Sequence, residues 1–112
     1  MRQLNVFVNN DKAGVLTEFN PGRGYRFVYD DHYLDSGKPP ISVTMPTNRK
    51  VYESENLFPI FVNMLPEGTN RRVICRGLKI DERDFFGLLS AMADQDFIGA
   101  VEVRKIMTND NQ

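Results

Sequence analysis

Among the 112 residues of this chain, one histidine, one cysteine and a cluster of arginines have the side chains best suited to chemistry. His32 lies in a polar stretch with Asp30, Asp31 and Asp35. Metal binding or proton transfer would need these groups to converge on one point, and a lone histidine with aspartates along one irregular segment reads as a solvated turn. Cys75 falls beside Val73 and Ile74. A nucleophilic cysteine needs a histidine partner and a helix N-terminus, so Cys75 is expected in the core. Being alone, it cannot form an internal disulfide. Pro21-Gly22-Arg23-Gly24 holds two glycines without the spacing of a phosphate-cradling loop, and no Walker-type lysine follows. Asp84-Phe85-Phe86-Gly87 is one residue away from D-F-G, but it falls on a predicted amphipathic helix with no catalytic-loop aspartate before it. It is expected to pack. No catalytic, cofactor-binding or metal-binding residue is expected, and the chain is not a kinase by itself.

The residues suited to holding a partner are more concentrated. Phe61-Val62-Asn63-Met64-Leu65-Pro66-Glu67-Gly68 reads as an apolar helix stopped by proline, then an acid and a glycine. Pro66 and Gly68 shape the backbone, and loops held on a rigid scaffold often carry binding residues. Arg71, Arg72 and Arg76 follow, with 72 and 76 one helical turn apart. Such a patch suits carboxylates or phosphate on a partner. Met64, Leu65, Pro66, Glu67, Gly68, Arg71, Arg72 and Arg76 are therefore the candidate partner-binding residues. A plain connector joined to a solvated helix face is the alternative for the same residues.

Composition sets the frame. Hydrophobic residues make up 41% and charged residues 26%, ordinary for a globular domain, and the length suits a single domain spanning residues 1–112. Nine arginines and five lysines are balanced by fifteen acids to a net charge of −1, which gives no bulk attraction to nucleic acid or to an anionic membrane. No apolar run approaches the roughly 20 residues that span a bilayer, and residues 1–6 lack the apolar core of a secretory signal. A cytoplasmic setting is the expectation.

The elements that must position the candidate residues follow from periodicity. Leu4, Val6 and Val8 alternate with Asn5, Phe7 and Asn9, and Val15, Thr17 and Phe19 form a second strand across an Asn9–Lys12 turn. Tyr25–Tyr29 is a third strand after the Asn20–Gly24 turn. Residues 30–40 read as irregular with one short helical turn, and Ile41–Met45 as a fourth strand ended by Pro46. Helices follow. One is capped by Ser54 or Asn56, starts late because of Pro59 and ends near Leu65. A second is capped by Thr69 and stopped by Gly77. A third opens at Asp81 with a capping-box-like Asp84 and an apolar face of Phe85, Leu88, Leu89 and Met92. Asp94-Gln95-Asp96 breaks it, Ile98–Lys105 is the last strand, and 107–112 is a frayed tail. The fold class is α+β: an antiparallel sheet of about five strands with about three helices packed on one side. Tyr25, Phe27, Tyr29, Tyr33, Tyr52, Phe58, Phe61, Met64 and Met92 exceed what so small a core needs, so some of them are expected to form an exposed patch.

The order of these motifs resembles the N-terminal domain of the HipA family of serine/threonine kinase toxins. Val6-Phe7-Val8-Asn9-Asn10 with Gly14-Val15-Leu16 is similar to that family's opening hairpin, and Ile41-Ser42-Val43-Thr44-Met45-Pro46 to its "P-I-S-L-S-L-P" strand. Asn63–Gly68 is similar to its "N-x-L-P-E-G" turn, and the segments at Asp84–Leu89 and Gly99–Val101 to its "D-F-F-x-L-L" helix and "G-A-V" strand. The resemblance covers roughly residues 3–105. One departure is Met92–Ile98, where the family usually has a glycine and an aspartate. The chain also stops where the family's kinase body would begin. A free-standing copy of this domain resembles HipS, the antitoxin of three-gene HipBST toxin–antitoxin systems. That resemblance implies an antitoxin that binds and inhibits a HipA-like kinase, HipT, in trans, alongside a helix-turn-helix DNA-binding protein, HipB. The alternative it leaves open is a non-inhibitory N-terminal scaffold domain of a longer HipA-type kinase.

Overall fold

The computed structural model describes residues 1–93 and 100–106. Five strands, β1 (Arg2–Val8), β2 (Asp11–Asn20), β3 (Arg23–Tyr29), β4 (Val51–Ser54) and β5 (Val101–Lys105), form one antiparallel sheet in the order β4-β3-β2-β1-β5. Among the described residues, four helices accompany it: α1 (Asp31–Asp35), α2 (Pro59–Val62), α3 (Gly68–Leu78) and α4 (Phe85–Met92). The expected α+β class holds, with the single turn of α1 as the extra helix.

Alternation dictates the layers. Leu4 pairs with Leu16, Leu16 with Phe27, and Val6 with Val103, so these side chains share one face. All are buried in one cluster with Phe61 of α2, Cys75 of α3 and Phe86, Leu88 and Leu89 of α4. The opposite face carries Asn5, Val15, Val28 and Val51 in one cross-strand row. There Arg104 and Arg26 lie over the rings of Phe7 and Phe19. Asn9 and Asn10, at φ 49° and 70°, supply the two left-handed residues of a tight hairpin between β1 and β2. At Gly14 the reason for glycine is space: an added methyl would overlap the Val28 carbonyl oxygen and crowd the Phe27 ring.

Several expectations are corrected. Ile41–Met45 is not a strand; the fourth strand is Val51–Ser54, paired with β3. In Ile41–Met45 the buried residues are Ile41 and Met45, four apart, while Val43 between them is 93% exposed. The backbone bonds that a strand would need go elsewhere. The Ile41 N–H donates to the Tyr29 hydroxyl at 3.0 Å, and that hydroxyl donates to the Met45 carbonyl. Tyr33 and Tyr52 donate likewise to the carbonyls of Pro39 and Pro46. Burial pushes the Tyr29 and Tyr33 phenols up, so both stay protonated as donors. Three tyrosines thus pin a loop that no ladder holds.

The helix ends are also revised. Neither Ser54 nor Asn56 caps α2, which begins at Pro59 after extended Phe58. Thr69 lies inside α3, whose N-cap is Glu67. Gly77 does not stop α3. The helix runs to Leu78, and Lys79, left-handed at φ 58°, closes it with the Ile80 N–H on the Cys75 carbonyl at 2.8 Å. Asp84, not Asp81, caps α4, accepting from the Gly87 N–H at 3.0 Å. Phe86 is the buried aromatic of α4, and Phe85 is only half-buried. Tyr25, Phe27, Tyr29, Tyr33, Phe58 and Phe61 are all buried, so the surplus aromatics form the core rather than an exposed patch. Among the described residues, the large exposed apolar side chains are Met1, Phe19, Val43, Val51, Val73 and Leu78. The expected break at Asp94–Asp96, the Ile98–Ala100 start of the last strand (apart from Ala100) and the tail at 107–112 lie outside the described residues.

Candidate functional site

The turn between α2 and α3 is built by backbone limits. Pro59 sits in the first turn of α2, where its missing N–H is no loss. Beyond Val62 the chain tightens: Met64 and Leu65 donate to the Phe61 and Val62 carbonyls at 3.2 and 3.1 Å. Pro66 cannot donate and ends the run. Glu67 is extended, its side chain makes no capping bond, and it is exposed. Gly68 takes φ +56°, and a Cβ there would meet no atom, so its glycine is required by conformation alone.

The candidate residues divide into two groups. Leu65 is a core residue at 4% exposure. Arg71 is held within the fold. Its Nε donates to the Pro66 carbonyl at 2.9 Å, and its guanidinium lies 5.1 Å from the centre of the Phe85 ring. Met64 and Pro66 are half-buried. Glu67, Gly68, Arg72 and Arg76 face solvent, Arg72 being 3.8 Å from Glu82. Loose exposed pairs of this kind contribute little to stability. Beside the turn, Tyr25, Leu57, Val62, Arg83 and Phe85 line a cleft of about 260 Å³.

A polar network that sequence reasoning missed ties the sheet to α4 next to this cleft. Glu18 is 2% exposed. It accepts from Arg2 Nε at 2.7 Å, the Tyr25 hydroxyl at 2.9 Å and the Gly22 N–H at 3.1 Å. Arg2 also donates to Asp84 Oδ1 at 2.8 Å and lies over the Phe86 ring. A buried carboxylate demands such partners. The hydrogen bond to Asp84 outweighs partial burial and holds the Arg2 guanidinium well above its usual range; Glu18 adds to this. Burial and the bond to Glu18 push the Tyr25 phenol up. Arg2, opposed by partial burial and helped by the Gly87 N–H, holds the Asp84 carboxyl below its usual value. A lowered folded-state pKa stabilises above the unfolded carboxylate value of about 3.9 and is lost as pH falls through the folded value. The stability of Asp84→Asn is therefore expected to fall less steeply than that of the parent below about pH 4. Parallel slopes in acid melts would remove Asp84 from the account.

His32 is an exposed side chain with Nδ1 4.0 Å from Asp30, and Cys75 is buried. Among the described residues, no group of three or more metal-ligating side chains is gathered, and no helix is long and apolar enough to cross a membrane.

The molecule is thus a small α+β domain built on a five-stranded antiparallel sheet. The chain belongs to the HipA N-terminal domain family, whose pattern it matches over residues 4–104. It is 30% identical over 105 residues to an uncharacterised Haemophilus influenzae protein, covering 94% of this chain and 93% of that one. It is 27% identical over 104 residues to the putative kinase Y4mE of Sinorhizobium fredii, covering 92% of this chain but only 24% of the kinase. Among solved structures it is similar to the N-terminal domain of HipA toxin, with a TM-score of 0.70, 26% identity and 96% of each chain covered.

Proposed function

We propose that this domain is a protein-binding antitoxin that engages a HipA-type serine/threonine kinase in trans and neutralises it, as HipS does HipT, in the cytoplasm and with a HipB-like helix-turn-helix protein in the complex. The observation that carries this reading is the pair of relatives. The same domain occurs within a much longer putative kinase and also as a Haemophilus protein of nearly its own length. A domain that fits a kinase body when fused to it retains complementary surface when separate. Inhibition needs no catalytic group on this chain, only a docked domain that disfavours the active arrangement of the kinase. The exposed residues of the α2–α3 turn, Glu67, Gly68, Arg72 and Arg76, with half-buried Met64 and Pro66, are the proposed contact, and Leu65 and Arg71 hold the turn in shape.

The second reading is a non-inhibitory scaffold domain of a longer kinase, and the 24% coverage of the putative kinase favours it specifically. Co-expression separates the two. Co-expressed with a HipA-type kinase body that lacks its own N-terminal domain and arrests growth, this protein is expected to restore growth. Arrest that persists although the two proteins co-purify would favour the scaffold reading.

A further inference from the structure

We propose that the outer face of α3 is the docking ridge for the kinase body, and that it receives a carboxylate-bearing surface pressed close against the helix at Gly77. This rests on the proposed binding of a kinase body. Three observations support it, and the first is charge. The chain is net −1, yet residues 68–80 contain Arg71, Arg72, Arg76 and Lys79 and no acid. With Arg71 folded inward, the remaining cations project from α3 and its closing residue. The only ion pair that the described residues give this group is Arg72 with Glu82, at 3.8 Å. An acidic surface is the matching chemistry.

Apolar side chains exposed on the same helix are the second observation. Val73 and Leu78 are 65% and 51% exposed. Val73 lies one turn from Gly77, in the row adjoining Arg72 and Arg76.

The third is Gly77 itself, an exposed glycine inside a helix with ordinary helical backbone, where an added Cβ would meet nothing within 4 Å. Neither conformation nor packing within the fold asks for glycine there, and glycine weakens a helix relative to alanine. A notch beside Val73 and one turn along the helix from it is what glycine supplies, and it lets a partner's backbone approach closely.

The test uses the folded protein and the same kinase body, by melting and by titration calorimetry. Gly77→Ala is expected to raise Tm by roughly 3–6 °C while weakening binding by about tenfold or more. Gly77→Gln, with a longer side chain, should weaken it further. Arg72→Gln with Arg76→Gln should flatten the salt dependence of Kd. A merely structural glycine would not give a better fold with poorer binding. Unchanged Kd in these variants, with the parent still binding, overturns the docking face alone. No binding by the parent overturns the antitoxin reading and this one together. A loss confined to self-association of the parent would assign the face to a second copy and overturn the proposal.

Discussion

Leu89→Ala is expected to destabilise the domain by about 2–5 kcal/mol, with Leu88→Ala close behind. Both leucines are fully buried on α4, against the cluster containing Leu4, Leu16 and Phe27. Truncation loses the transfer energy of three heavy atoms and leaves a cavity that the sheet cannot collapse to fill. The backbone is held on both sides of the site, by the Asp84 cap with its Arg2 clamp and by the β1–β5 ladder. A small domain has only roughly 5–15 kcal/mol in total, so the loss should appear as a fall of about 8 °C or more in Tm. An unchanged melt would mean that α4 presents a different face.

Tyr29→Phe is expected to cost nearly as much, although it removes a single oxygen. The ring stays buried against Phe27 and Tyr33. What is lost is the hydroxyl that accepts from the Ile41 N–H and donates to the Met45 carbonyl. Both residues are buried, so two backbone groups are orphaned at about 1–3 kcal/mol each. The effect should also be local. Hydrogen exchange should rise in residues 36–50, which lack a ladder of their own, while α4 amides keep their protection. A loss below about 0.5 kcal/mol would show that water replaces the hydroxyl freely.

These two residues also mark how far the sequence could be read. Leu88 and Leu89 sit on a helix whose period is visible within eight residues, and β1–β3 carry alternation and turn residues in plain order. Tyr29 is different. Its role is to hold backbone 12 and 16 residues away, and nothing local announces that. Ile41–Met45 alternates like a strand, but its Ile41 N–H and Met45 carbonyl are claimed by Tyr29, and its Met45 N–H turns back to the Ser42 carbonyl. Val51–Ser54 is a four-residue edge strand carrying Glu53, too short and too polar to show a period. The aromatic surplus disappears for the same reason: tyrosines can be buried once their hydroxyls find backbone partners.

The candidate site was legible in outline. Pro66 and Gly68 announce a shaped turn, and the arginines announce a charged helix. That Leu65 would be buried and Arg71 bound to Pro66 and Phe85 depends on the packing of α2, α3 and α4 together. The Arg2–Glu18–Asp84 network joins residues 16 and 82 positions apart, beyond the reach of any local pattern. In the sequence Gly77 has the form of a stop signal, and only the structure shows a glycine that the fold does not need.

The most direct test of the antitoxin role is titration of the purified protein into a HipA-type kinase body without its N-terminal domain, with phosphoryl transfer followed in parallel. The expected result is saturable binding with a Kd of roughly 1 μM or tighter, and kinase activity that falls as the complex fills. Full kinase activity at saturating concentrations of this protein would contradict it.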